Sequence, residues 1–432
     1  MFYILAALLI FFKTYAYDIS DLLKEAQQEI NREESQYIFK KAIHALVNKD
    51  YKTAVRSGKE YLKLNKEFSL KTEIIYETLA ISYYRLGIRE LIKNKYLPYI
   101  KHMEELIKEI EDKPLSRDAK LRIFISANNL FIRKKQFLKA KKLKNKFKDL
   151  LDHEYFFILD PDYEMFIPNV NIFKISEGNL FGKNEVYISE KNQTLIEIAK
   201  KVDMGYDEMR LANKYLNPND IKKGEAVFIP RKRLIPVEEY KFGEIYINLS
   251  EKRLYYPVLI ANKPYVITIP VGIGTDENKS PIGDFKITEK RKDPEWRVPK
   301  SIREENPDLP EVVPPGPDNP LGTRAMRLGY TSFLMHGTSK KFGIGMKVSH
   351  GCIRMYNKDV EKLFEIVKVG TPVHITEKDY KIYFDKKVFI EVFYLNNKDI
   401  KEILNNNKNR KIDKDILFYT KEERKGYATP LE

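Results

Sequence analysis

Residues 333–355 read FLMHGTSKKFGIGMKVSHGCIRM and hold two of the chain's six histidines, His336 and His350, together with its one cysteine, Cys352. A thiol needs a base or a cation beside it to become a thiolate near neutral pH, and an imidazole within hydrogen-bond reach supplies one. In a strand, His350 projects to the same face as Cys352 two positions on; His336, sixteen positions earlier, would arrive from a neighbouring strand. Spacing alone does not choose between them. A Cys352 so activated is expected to react with iodoacetamide much faster than a free model thiol. Gly351 permits a tight turn and close backbone approach, which suits an oxyanion site built from main-chain N–H groups. Arg354 adds a fixed positive charge that could favour the thiolate or hold a substrate carboxylate. Two other readings stand beside this one. His336, His350 and Cys352 could be three zinc ligands with a fourth position open, or the cluster could be structural.

Outward from this string, residues 243–376 are strand-dominated. The segment GEIYINLSEKRLYYP (243–257) alternates around a Ser-Glu-Lys turn and predicts a hairpin, with further strands at Tyr265–Val271, Gly283–Ile287 and Thr371–Ile375. Val360, Leu363, Phe364 and Val367 mark one helix. Between Pro294 and Pro320 lie eight prolines and no plausible ladder. So long a loop inside a compact domain reads as a cover over a site, with Trp296, the only tryptophan, either closing over substrate or packing the loop onto the sheet.

The 432 residues allow two to four domains, and 43% hydrophobic and 12% aromatic content exclude disorder as the dominant state. The opening run MFYILAALLIFF followed by Lys13-Thr14-Tyr15-Ala16 predicts a secretory signal peptide over residues 1–16, since a membrane span needs about 20 apolar residues. In an oxidising compartment a single cysteine has no disulfide partner, which leaves burial or a role as nucleophile. The formal net charge of +15 is uneven: residues 131–150 carry nine Lys/Arg against one Asp, around an apolar stripe of Ala140, Leu143, Phe147 and Leu150. That is a solvated basic helix face; with no recognition motif, nucleic acid is not an expected partner.

From residue 20 to 155 the chain is poor in Gly and Pro and apolar at i, i+3, i+4 spacing. It predicts helices at Glu34–Val47, Tyr51–Leu64, Thr72–Leu86, Tyr99–Ile110, Ser116–Arg133 and Phe137–Leu151, paired as in tetratricopeptide-like repeats. Such a region would dock a protein partner or act as a spacer. A boundary follows at Asp160-Pro161-Asp162. Residues 184–231 then predict βααβ: strand Val186–Ser189, helices Thr194–Lys201 and Asp207–Asn213, strand Ala226–Ile229. Beyond 377 come a hairpin over Tyr380–Phe393 and a polar tail, together the extension 377–432.

The 184–231 string resembles a LysM module at Thr194-Leu195, Ile198-Ala199, Asn213, Gly224 and Ile229-Pro230, with Asn192-Gln193 where Gly-Asp is usual. The motif His336-Gly337-Thr338 followed by Ser349-His350-Gly351-Cys352-Ile353-Arg354-Met355 resembles the signature of L,D-transpeptidase (YkuD) catalytic domains. SPIGDF (280–285) and VPPGPDNPLGTRAMRLG (313–329) are similar to the ErfK/YbiS-like branch, where a LysM-like module precedes the catalytic domain. The resemblance implies a multidomain chain with an all-α repeat-like region, a small βααβ module and a β-rich YkuD-type domain. It implies Cys352 as nucleophile, His336 as general base and acid, and the Gly337 carbonyl orienting that imidazole. Ser349, His350, Gly351 and Arg354 would shape the substrate and oxyanion surroundings, with no metal or organic cofactor. The implied substrates are peptidoglycan stem peptides and glycan; the acyl acceptor would be a stem amine, a lipoprotein lysine or water. Location in the periplasm, associated with the cell wall, follows by analogy with the branch. The rival reading is a non-catalytic wall-binding adaptor.

Overall fold

The computed structural model describes residues 2–151, 161–166, 171–340, 342–384, 386–410 and 412–431. Residue 1 and the side chains of residues 2–20, on which the expected signal peptide rests, lie outside that set, as do residues 152–155 and Asp160 at the expected boundary. Among the described residues no helix is long and apolar enough to cross a membrane. The chain divides into two compact units, Met1–Ser126 with Lys414–Glu422, and Ala127–Asp413 with Glu423–Glu432.

The first unit is helical. Its helices are Phe2–Val47, Tyr51–Leu64, Leu70–Arg89, Lys93–Glu109 and the first turns of Arg117–Arg133. Their starts follow from capping chemistry: the Asp50 carboxylate accepts from Thr53 N at 3.2 Å, and Ser69 with Thr72 forms a capping box. Ile43, Ala54, Ile75, Ala80, Met103 and Phe124 are fully buried between the helices. The residues expected to form a polar tail instead form two helices, Asn397–Asn406 and Lys414–Glu423. Asn396 Oδ1 caps the first by accepting from Lys398 N and Asp399 N. The second buries Ile416, Leu417 and Tyr419, and its Asp415 pairs with Lys40 at 3.2 Å and Lys71 at 2.5 Å. Their apolar residues, Ile400, Ile403 and Leu404 in the first and Ile416, Leu417, Phe418 and Tyr419 in the second, are set among Asn, Lys, Asp and Glu, so the composition of the segment reads as polar.

The second unit is built on an 11-stranded sheet. Its order begins with Ile353–Arg354, Leu334–His336, Arg324–Leu328, Gly283–Lys292, Pro372–Thr376 and Ile245–Asn248, and continues with Arg253–Ile260 and Lys263–Pro270. Ile172–Glu177, Leu180–Phe181 and Arg233–Leu234 complete the far edge. Alternation puts Met326, Leu328, Met335, Ile353, Val373 and Ile375 on one face, where helix Asn357–Ile366 covers them with Val360, Leu363 and Phe364. The opposite face of the first strands is therefore free to carry polar side chains.

Residues 185–229 form strand Glu185–Ile188, helices Leu195–Lys201 and Tyr206–Ala212, and strand Ala226–Ile229, in that order, around Leu195, Ile198, Ala199, Met209, Val227 and Ile229. This small module touches the loop between His336 and Cys352. Tyr206 N and Asp207 N donate to the Ile344 and Gly345 carbonyls at 3.2 Å each, the free N–H groups of a helix start being natural donors. A Cβ on Gly345 would stand 2.3 Å from Gly205 Cα, so backbone meets backbone there and φ is +77°.

The proline-rich stretch is not without a ladder, as its composition suggested. Trp296–Arg297 pairs with Val312–Val313, and helix Lys300–Glu305 lies between them. The buried Asn319 amide gathers the segment by donating to the Pro294, Val313 and Pro314 carbonyls at 2.9–3.1 Å, acceptors that proline leaves free. Trp296 is half-buried.

Candidate active site

The parallel pairing Met335↔Ile353 and His336↔Arg354 places side chains of equal register on one face. His336 and Arg354 therefore share the face opposite the core with Leu334, and Cys352 immediately precedes strand Ile353–Arg354. The antiparallel neighbour adds Ala325, opposite His336, and Arg327, opposite Leu334. A small cleft on this side is lined by Glu289, Arg291, Pro294, Leu321, Ala325, Arg327 and Leu334.

His336 is buried and its Nδ1 meets the Gly337 carbonyl at 2.6 Å, with the Leu321 carbonyl also favouring the cation. Nδ1 is thereby the donor nitrogen, which leaves Nε2 as the acceptor. Burial and then the Arg354 guanidinium push the imidazole down to about 4, against the two carbonyls, which favour the cation. Cys352 is half-buried, and burial pushes its thiol above the ordinary range although a main-chain hydrogen bond at Leu334 and the charges of Arg354 and Arg327 pull the other way. Near neutral pH the free protein thus holds both the thiol and the imidazole neutral.

The raised thiol predicts the opposite of the fast alkylation expected from the sequence. Iodoacetamide should label Cys352 more slowly than a free model thiol at pH 7, and the rate should climb only as pH passes above about 9, followed by mass spectrometry of the intact protein. A rate that is already maximal at pH 7 would mean a preformed thiolate–imidazolium pair.

His350 is placed elsewhere. No strand runs through residues 350–352, because Gly351 takes φ +99° and interrupts it after Lys347–Ser349, so the two-residue alternation fails. The exposed His350 Nε2 lies 3.4 Å from Glu305 Oε2 of the proline-rich segment. Among the described residues no three His, Cys, Asp or Glu side chains are grouped to hold a metal ion, so the three candidate zinc ligands do not converge. Gly351 is obligatory in this turn: a Cβ would fall 2.5 Å from Phe333 Cε1. Its N–H donates to Ser349 Oγ at 3.1 Å, and Ser349 Oγ donates to the Cys352 carbonyl at 2.6 Å. Buried Ser349 therefore ties the loop that carries Cys352, and the Gly351 N–H is engaged there. The Arg354 backbone bonds both ways to Gly272 at 2.8 Å, and its buried Nε has no hydrogen-bond partner, leaving a cation beside the thiol.

Sequence reading missed Leu321, whose carbonyl favours the imidazolium, and Asn357, whose Oδ1 accepts from Thr338 N at 3.0 Å. The only local signal was the Gly322 that follows Leu321.

The L,D-transpeptidase catalytic-domain (YkuD) family model matches residues 243–375, the stretch that carries this face. The protein named "Probable L,D-transpeptidase YbiS" of Escherichia coli (strain K12) is 38% identical over 211 residues, which cover 47% of this chain and 67% of that protein. The chain belongs to the L,D-transpeptidase family. "Probable L,D-transpeptidase YcfS" of the same strain is 36% identical over 48% of this chain and 66% of its own length. "Probable L,D-transpeptidase ErfK/SrfK" of Salmonella typhimurium (strain LT2) is 34% identical over 44% and 61%. These matches bear out the ErfK/YbiS-like resemblance, and each leaves more than half of this chain unmatched.

Proposed function

We propose that the protein is a cysteine L,D-transpeptidase acting on peptidoglycan stem peptides. The observation that supports this reading is the pairing of His336 with Arg354 on adjacent strands, with Cys352 directly before the second, within a chain whose relatives bear that name. On attack, the Cys352 thiol proton passes to His336 Nε2 as sulfur bonds to the carbonyl of the bond between an L-centre and D-Ala. The C–N bond then breaks, His336 returns the proton to the departing D-Ala amine, and a thioester remains. An amine acceptor gives up a proton to His336, attacks the thioester and expels the Cys352 thiolate, which takes that proton back.

Arg354 is placed to steady a stem carboxylate or the charge that develops at the carbonyl oxygen. The proline-rich segment bearing Trp296 would keep water from the thioester, which favours aminolysis. The βααβ module is read as LysM-like and glycan-facing, the helical unit as a docking region, and residues 1–16 as an export signal that sends the chain to the periplasm.

Mass spectrometry of tetrapeptide-bearing muropeptides incubated with the full chain tests this, with a lysine-bearing lipoprotein peptide added to a parallel tube. The expected result is D-Ala release matched by a cross-linked or peptide-bearing product. Release of D-Ala with only tripeptide formed would make water the acceptor. A folded protein that retains sacculi but releases no D-Ala would instead be an adaptor.

A further inference from the structure

Asn357 opens helix Asn357–Ile366, but it does not cap it: the cap position is Tyr356, which makes no side-chain cap bond. The amide reaches away from its own helix. Its Oδ1 accepts from Thr338 N at 3.0 Å and from Thr323 N at 3.4 Å. The Thr338 N–H belongs to the same peptide group as the Gly337 carbonyl, which takes the His336 Nδ1 proton at 2.6 Å. Thr323, in turn, lies two residues after Leu321, whose carbonyl favours the imidazolium. One amide oxygen therefore pins both loops that present carbonyls to the ring.

The space for it is made by glycine. A Cβ on Gly337 or on Gly322 would stand 2.2 Å from Asn357 Oδ1, and Gly322 holds φ +64°. A side chain at either position would expel the amide. The glycine after the first histidine is thus required by Asn357.

We propose that Asn357 is a positioning residue for His336, acting through the Gly337–Thr338 peptide group. A hydrogen bond accepted from one end of a peptide group enlarges its dipole and makes the carbonyl at the other end a stronger acceptor. The chain Asn357 Oδ1, Thr338 N–H, Gly337 C=O, His336 Nδ1–H would then fix the ring's tautomer and ease formation of the imidazolium during proton transfer. An amide does this without placing a formal negative charge near the ring. The charged group acting on the imidazole is Arg354 from the adjoining strand, and Glu361 on Asn357's own helix is engaged by Thr323 Oγ1 at 2.5 Å. This inference rests on the proposed use of His336 as base.

The test titrates the His336 ring by NMR in the full chain, wild type, Asn357→Ala and Asn357→Asp, alongside the kinetics of D-Ala release. Asn357→Ala should lower the ring's pKa and reduce kcat ~10–100-fold with KM within about twofold, as loosened orientation does. Asn357→Asp keeps the acceptor and adds charge, so it should raise the ring's pKa above wild type and move the acid limb of the rate profile up. If Asn357→Ala does not fold, the aspartate variant's upward shift carries the test. Ring titration identical in all folded variants would overturn the inference, since a merely structural amide changes stability alone. A ring that shifts as stated in a chain that releases no D-Ala would uphold the positioning and overturn the transpeptidase reading.

Discussion

Cys352→Ala should leave the fold intact and remove D-Ala release altogether, a loss of ~10⁴-fold or more, because no other thiol exists in the chain to form the thioester. His336→Gln should reduce acylation by ~10²–10⁴-fold, since the thiol proton then has no placed acceptor. The pH profile adds a sharper demand. The imidazole titrates near 4 and the thiol above its ordinary range, so both are neutral across the intervening span. In the proposed reaction, proton transfer from thiol to imidazole would then accompany attack on the substrate. For the wild type, kcat/KM against pH should be flat between an acid limb near pH 4 and an alkaline limb above about pH 9. Limbs at pH 6 and 8 in the free protein would mean that Arg354 and Arg327 outweigh burial and hold a thiolate, and the neutral-pair reading would fall.

The parts of this site that were legible in the sequence were those whose chemistry is rare. One cysteine, two histidines and four glycines in 23 residues do not build an ordinary core, and the spacing matched a known signature. Helix Tyr51–Leu64 was legible to the residue because an aspartate cap precedes it and its apolar stripe is regular. What stayed hidden acts through the main chain or across long separations. Leu321 and Asn357 contribute a carbonyl and a helper hydrogen bond, roles that any residue type or any exposed amide could fill. The direction of His350 turns on one left-handed glycine, a torsion that no periodicity encodes. Arg233, Arg253, Lys381 and Glu391 drew no reading from the sequence, yet all are buried. Their burial follows from three segments, 185–234, 243–376 and 380–392, packing on one another, a tertiary fact with no local mark.

That buried group yields the largest expected effect on stability. Arg233, Arg253 and Lys381 face Glu208, Glu251 and Glu391, three cations against three anions. Arg233 bonds Glu208 and reaches Glu391 at 2.9 Å, while Arg253 clasps Glu208 through two nitrogens. Lys381 lies 2.9 Å from Glu251 and 2.8 Å from Glu391, and Tyr255 donates to Glu251 at 2.6 Å. Burial alone would raise the Glu208 carboxyl; Arg233, Arg253 and the Gly205 N–H bring it below its ordinary value instead. Glu208→Gln keeps the shape and removes the charge, leaving two buried guanidinium groups short of a counter-ion, and should destabilise the unit by ~3–5 kcal/mol in urea titration. Lys201→Ala, which removes an exposed partner of Glu190, should change stability by less than ~1 kcal/mol. The sign with pH follows from the depressed carboxyl: its contribution is present above the ordinary glutamate value and is lost as pH falls through the lower folded one, so the gap between wild type and Glu208→Gln should shrink in acid. Glu208 also takes the Gly205 N–H at the start of helix Tyr206–Ala212, whose next two N–H groups hold the Ile344 and Gly345 carbonyls of the loop leading to Cys352. The variant should therefore lose D-Ala release at temperatures where the sheet is still folded. Equal losses for Glu208→Gln and Lys201→Ala would mean that the network is solvated and does not fix the module against the catalytic loop.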